Sequence, residues 1–224
     1  PALLPYGRQS IDDADIKTVV NVLRGDWLTT GPHVVAFEAA LAAAVGTPHA
    51  VAVSNGTAAL HAAYACAGIG EGDEVLVPAI TFAATANAAL YVGATPIVVD
   101  VDPNTLLLDP AKAAAAVTPR TRALVGVDYA GQPCDWPALR AVADTHGLSL
   151  FADGCHALGA ALDGIEVGAI ADATTFSFHP VKHVAAGEGG AITTRDEALA
   201  TAMQRFRTHG ISKTAEERAK AGTW

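Results

Sequence analysis

From about residue 49 onward the chain alternates between two kinds of apolar segment. Short β-branched runs, "HAVAVS", "DEVLVP", "TPIVVDVD" and "TRALVGVDY", are followed in turn by "GTAALHAAYACAG", "TFAATANAALYVG", "DPAKAAAAV" and "DWPALRAVADTHG", and "LSLFAD" then begins the next run. The short runs are continuously apolar rather than alternating, which is the pattern of strands covered on both faces of a parallel sheet. The longer, Ala-rich runs have helical length. Pro110 and Pro137 stand where a first helical turn accepts proline, with Asp109 and Asp135 or Trp136 on the cap side. Gly68, Gly93 and Gly147 close three of the helices. The pattern predicts an α/β fold with a mostly parallel open sheet flanked by helices.

Two helical stretches, "DDADIKTVVNVLRG" and "PHVVAFEAALAAAVG", precede this pattern and are joined by "DWLTTG". Residues 1–46 are therefore expected to form a helical segment packed on a domain spanning 47–224. Internal repeats and low-complexity linkers are absent from the sequence. Composition narrows the function classes. A formal net charge of -9 argues against a nucleic-acid partner, because binding a polyanion needs a basic surface. It leaves room for a small phosphorylated ligand held by backbone N–H groups. Cys66, Cys134 and Cys155 are odd in number and far apart, so neither a disulfide framework nor a zinc site is read from them. A reducing, cytoplasmic setting fits best. No run resembles a signal peptide or a membrane span, so a soluble protein with no membrane partner is expected. The first residue is not methionine and the last are "ERAKAGTW", so the chain is expected to be a fragment.

In open α/β sheets ligands gather beyond the carboxyl ends of the strands. The segments placed there are "SNGT" at 54–57, "TF" at 81–82, "DYAG" at 128–131, "DGCH" at 153–156 and "SFHPVK" at 177–182. "SNGTAAL" reads either as an anion site made of helix N-terminal N–H groups or as an ordinary turn with Thr57 as N-cap. Asp153 follows a buried strand, where a carboxylate needs a cation, a donor or a capping role. Asp128 reads as a capping or loop-bonding residue. Lys182 lies inside "HPVKHVAAGEGG", between two apolar runs. It either carries its ammonium out to water or presents a desolvated, nucleophilic amine. His179, His183 and Glu188 flank it as loop residues. Taken together, an anion turn, a strand-end carboxylate and a loop lysine are the parts needed to hold pyridoxal 5'-phosphate.

The segments "LTTGPHVVAFE", "AVAVSNGTAALHAA", "GIGEGDEVLVPAITFAATANAALYVGATPIVVDVD", "FADGCHALGA" and "FSFHPVKHVAAGEGGAITT" occur in one order across nearly the whole chain. In these it resembles the DegT/DnrJ/EryC1/StrS sugar aminotransferases, of aspartate-aminotransferase fold type I. The resemblance implies roles for named residues. Lys182 matches the lysine that binds the cofactor aldehyde, and Asp153 the acid at the pyridine nitrogen. Gly56, Thr57 and Ser177 match the phosphate cradle, Phe82 the aromatic stacked on the ring, and His156 a residue near the 3-hydroxyl.

"VDYAG", "CHALG" and "SFHPVKH" look most like the pseudaminic acid branch of the family. That branch implies transfer of an amino group from glutamate to C4 of a UDP-linked 4-keto-6-deoxy-N-acetylhexosamine, in a homodimer. Alternatives are a C3 or C4 aminotransferase of another nucleotide-linked ketosugar, or an inactive or regulatory homologue. Relatives that act as dehydratases carry His in place of the lysine, and Lys182 argues against that class. "AAGEGG" departs from the family's common "TTGEGG", and the chain ends before the family's C-terminal domain.

Overall fold

The computed structural model describes residues 7–211. The predicted strands form as β1 (His49–Val53), β2 (Glu74–Pro78), β3 (Thr95–Val99), β4 (Thr121–Val127) and β5 (Ser149–Asp153). A short pair follows, β6 (Ala161–Leu162) and β7 (Ile165–Glu166), and then β8 (Ala173–Ser177) and β9 (Gly190–Thr194). The helices are α1 (Asp13–Arg24), α2 (Pro32–Ala44), α3 (Gly56–Cys66), α4 (Ala84–Tyr91), α5 (Pro110–Ala116), α6 (Trp136–His146) and α7 (Glu197–Arg207).

Seven strands make one sheet in the order β1-β9-β8-β5-β4-β2-β3. Neighbours run parallel except at β9, which is antiparallel to both β1 and β8. Helices cover both faces, which explains the unbroken apolar runs of the inner strands; β3 departs from that expectation, because it lies at the sheet edge and leaves Val98 65% exposed. Along β2, Val75 and Val77 face a core shared with Leu60, Tyr64, Ala88 and Met203 of α3, α4 and α7. Leu76, between them, faces the opposite core, with Trp136 and Leu139 of α6 and Ala113 of α5. A strand buried on both sides has no polar face to alternate. A third cluster joins Leu41 and Val45 at the end of α2 to Ala50, Phe176, Phe178 and Ala191.

Local sequence sets the ends of the elements. Asp109 and Asp135 cap α5 and α6, each ahead of a first-turn proline. Gly68, Gly93 and Gly147 follow α3, α4 and α6 at positive φ. The β6–β7 hairpin turns on Asp163 and Gly164 at φ 51° and 78°, the Asp-Gly geometry favoured in two-residue turns. The two N-terminal helices differ in their burial. α2 ends in the third core cluster, whereas no residue of α1 is buried. α1 is held locally, by a reciprocal capping box between Asp12 and Asp15. "ERAKAGTW" lies outside the described residues.

Candidate active site

The turn from β1 into α3 builds the first wall of the site. Asn55 is extended, and its Oδ1 accepts the Ala58 N–H at 2.8 Å. The cap of α3 is therefore Asn55, and Thr57, the residue expected in that place, lies inside the first turn. The Asn55 carbonyl accepts the Ala59 N–H. The earlier N–H groups of Gly56 and Thr57 have no partner within the helix and remain for a ligand. Gly56 is required by crowding. A Cβ there would stand 3.0 Å from Ser177 Cβ and 3.1 Å from Cys155 Sγ, so the ends of β1, β8 and β5 converge on one small concavity.

Asp153 ends β5 and is buried. Its Oδ2 accepts the Thr85 hydroxyl at 2.7 Å and its Oδ1 the Cys155 N–H at 3.2 Å. Thr85 is in turn 2.7 Å, oxygen to oxygen, from the hydroxyl of Thr81. Tyr64, fully buried beneath, donates to the Thr85 carbonyl at 3.3 Å. Burial, and then the Asp153 charge, hold the Tyr64 phenol well above its ordinary range, so it stays a neutral donor. The Cys155 thiol is pushed well up by the same two causes in the same order, and is no thiolate at neutral pH.

Lys182 lies in the loop between β8 and β9. Backbone bonds from Lys182 N–H to His179 O, from Ala186 N–H to Phe178 O and from Phe178 N–H to Gly189 O fix that loop, each at 2.8 Å. Lys182 is half-buried and its side chain lines the same cavity as Asp153. Burial holds the His156 imidazole below its ordinary value, and the Lys182 charge adds to this. His156 is thus neutral near pH 7, and its ring lies 6.2 Å from that of Tyr129.

Gly56, Thr57, Phe82, Asp153, His156, Ser177 and Lys182 all line one cavity of about 530 Å³. Phe82 is 74% exposed and lines the cavity, so its ring is not spent in the core and is free to contact a ligand. His179 and Glu188 also line it; His183 is exposed and does not. Asn55, Thr81, Tyr129, Cys155 and Val181 complete much of the wall; each lies in one of the strand-end segments the sequence marked, although none was given a role of its own. Asp128 proves to be a loop-bonding residue. Its Oδ1 accepts the Cys134 N–H at 2.8 Å and Trp136 Nε1–H at 3.0 Å.

The chemistry of the donors fits a phosphorylated pyridine aldehyde. Helix N–H groups and two hydroxyls at the crowded Gly56 suit a phosphate, a buried carboxylate suits a protonated ring nitrogen, and an amine suits an aldehyde.

A profile of the DegT/DnrJ/EryC1/StrS aminotransferase family matches residues 9–223. The spore coat polysaccharide biosynthesis protein SpsC of Bacillus subtilis (strain 168) is 47% identical over 222 residues, 99% of this chain and 57% of SpsC. Among solved structures, Spr1654 of Streptococcus pneumoniae in its PMP-form superposes with a TM-score of 0.93 at 32% identity, over 99% of this chain and 61% of that one. DesI, solved in the presence of its TDP-sugar product, gives 0.87 at 45% identity, over 92% and 52%. PseC of Helicobacter pylori, an aminotransferase involved in the biosynthesis of pseudoaminic acid, gives 0.89 at 34%, over 94% and 57%. The chain therefore spans little more than half the length of these relatives. Spr1654 is also known in a PLP-form. Pyridoxal phosphate is the cofactor that this family and this site call for.

Proposed function

We propose, since the chain belongs to the DegT/DnrJ/EryC1/StrS aminotransferase family, that the whole protein is a pyridoxal phosphate-dependent aminotransferase of nucleotide-linked ketosugars. One observation carries this reading: an anion-binding helix start, a buried carboxylate and a loop lysine line a single cavity at the carboxyl ends of the strands. The N–H groups of Gly56 and Thr57, with the hydroxyls of Thr57 and Ser177, would take the phosphate. Asp153 would hold the proton on the ring nitrogen, Phe82 would cover one ring face, and His156 would sit by the 3-hydroxyl. Bound there, pyridoxal phosphate supplies an electron sink for moving an amino group between a donor and a ketone. Lys182 would hold the cofactor's aldehyde, and its free amine would be the base that moves the proton in both half-reactions.

The finer reading is transfer from glutamate to C4 of a UDP-linked 4-keto-6-deoxy-N-acetylhexosamine, a pseudaminic acid precursor, by a cytoplasmic homodimer. "VDYAG", "CHALG" and "SFHPVKH", with the likeness to PseC, support it. A second reading, amination of another nucleotide-linked ketosugar, is favoured by the higher identities to SpsC and DesI. An inactive homologue is disfavoured, because Thr57, Phe82, Asp153, Ser177 and Lys182 all line one cavity.

The test is to load the full-length protein with pyridoxal phosphate, add glutamate, and offer UDP- and TDP-linked 4-ketosugars separately. The proposed reading expects 2-oxoglutarate and the 4-amino sugar together, from the UDP-linked N-acetylhexosamine. Amine formed only from another nucleotide sugar selects the second reading. Amino transfer only to simple keto acids removes the sugar assignment and keeps the transaminase.

A further inference from the structure

The hydrogen bonds behind Asp153 have a direction. A hydroxyl has one proton to give and lone pairs to receive others. The Thr85 hydroxyl gives its proton to Asp153 Oδ2 at 2.7 Å, so in its 2.7 Å contact with Thr81 it accepts; the Phe82 carbonyl, at 3.3 Å, is the longer of the two acceptors open to the Thr81 proton. The chain therefore runs from Thr81, in the cavity wall, through the fully buried Thr85, to the carboxylate. The other carboxylate oxygen is held from the opposite side by the Cys155 N–H. Thr85 is itself fixed. Its N–H donates to the Phe82 carbonyl, its carbonyl accepts from Tyr64, and its β-branched side chain is stiff about χ1. A carboxylate gripped through both oxygens has its plane set, and a charged acceptor makes the bond from Thr85 stronger than a neutral one would be.

We propose that Thr85 is the positioning residue of this site: its hydroxyl, oriented by Thr81, sets the plane of the Asp153 carboxylate toward the cavity. The proposal rests on the reading of Asp153 as the partner of the cofactor's ring nitrogen. Thr85 touches neither cofactor nor substrate; it acts through Asp153. It follows that a side chain of the same shape without the hydroxyl would leave the fold intact and the carboxylate loose and short of one donor.

The experiment uses the full-length protein loaded with pyridoxal phosphate, in the variants Thr85→Val, Thr85→Ser, Asp153→Asn and Thr85→Val/Asp153→Asn. The readouts are kcat and KM for the aminotransferase reaction, and cofactor affinity by equilibrium dialysis. Loss of a hydrogen bond to a charged group predicts a fall in kcat of about tenfold or more for Thr85→Val, with KM for the sugar within about twofold. Cofactor affinity should weaken in the same variant, and Thr85→Ser should restore both. In the Asp153→Asn background, Thr85→Val should cost less than about twofold, because the group it acts through is gone. The proposal is overturned if Thr85→Val keeps parental kcat and cofactor affinity. It is equally overturned if its loss is the same in both backgrounds, which would mark a merely structural role. If Asp153→Asn is itself as active as the parent, the reading of Asp153 falls and takes this proposal with it.

Discussion

At the scale of single residues, the site is made by crowding and burial, and both can be tested. Gly56 is a crowded point of the proposed phosphate cradle. Adding one methyl there meets Ser177 Cβ at 3.0 Å and Cys155 Sγ at 3.1 Å, so these neighbours must give by a few tenths of an ångström. Gly56→Ala should push Ser177 away from α3 and weaken cofactor binding about tenfold or more in equilibrium dialysis, through misplaced donors. Parental affinity would place the phosphate elsewhere.

Asp128 offers a pH signature. Burial pushes its carboxyl up to about 7, while bonds from Cys134 and Trp136 pull it down, and Oδ2 has no partner among the described residues. The folded protein thus holds a proton on Asp128 at pH values where the unfolded chain, near 3.8, has lost it. Stability from this group is full below about pH 4, declines as pH rises toward about 7, and is level above, by at most about 4 kcal/mol. Asp128→Asn should remove that decline. Urea unfolding of both proteins across this pH range checks it, and parallel curves would refute it. The sequence showed Asp128 as a loop-bonding residue but not its burial, since that depends on Trp136 and Cys134 folding over it. Lys182, Asp153 and Gly56 were legible because each sits in a local motif. Thr81, Tyr129 and Cys155 were legible only as members of strand-end segments, and Thr85 not at all, because only the packing of separate strand ends makes them neighbours.

At the scale of elements, β9 links sheet and cradle. Gly190 pairs with Val53 at the end of β1 and with Ser177 at the end of β8. A Cβ on Gly190 would lie 2.3 Å from both the carbonyl carbon and oxygen of Asn55, the cap of α3. Gly190→Ala cannot be absorbed by a flexible side chain, so β9 and the start of α3 must separate. A loss of about 1–3 kcal/mol in chemical denaturation is expected, with weakened cofactor binding. A variant of parental stability would show that the turn yields at no cost. The last glycine of "GEGG" therefore keeps β9 and α3 close, a demand invisible in a sequence that shows only a glycine before an apolar run. Strands and helices were legible because burial on both faces leaves a continuous apolar signature. The direction of β9 was not, since an apolar run of that length has no polarity of pairing. The cap of α3 was placed two residues late because Asn55 and Thr57 are both good caps, and only the backbone turn selects Asn55.

At the scale of the whole molecule, the balance is between an acidic surface and apolar groups left uncovered. The net charge of -9 means that the anion site works through oriented N–H groups and hydroxyls rather than through a basic field. Large apolar side chains remain exposed at the cavity, in Phe82 and Val181, and on helices, in Ile16, Val19 and Leu23 of α1 and Leu90 and Tyr91 of α4. Stable monomers seldom leave many such groups uncovered. No helix among the described residues is long and apolar enough to cross a membrane. A second copy is the cover expected for the full-length protein, with Phe82 and Val181 placing the cavity at its edge. Sedimentation of the full-length protein should therefore give the mass of a dimer. If the partner closes the site, cofactor affinity should also fall when the protein is diluted until the dimer dissociates, because the exposed face over the cavity then opens to water. Replacing Leu90 and Tyr91 by serine should promote that dissociation and weaken cofactor binding in step, without touching any residue of the cavity. A full-length protein that sediments as a monomer and binds pyridoxal phosphate equally well at every concentration would show that the site is complete within one chain.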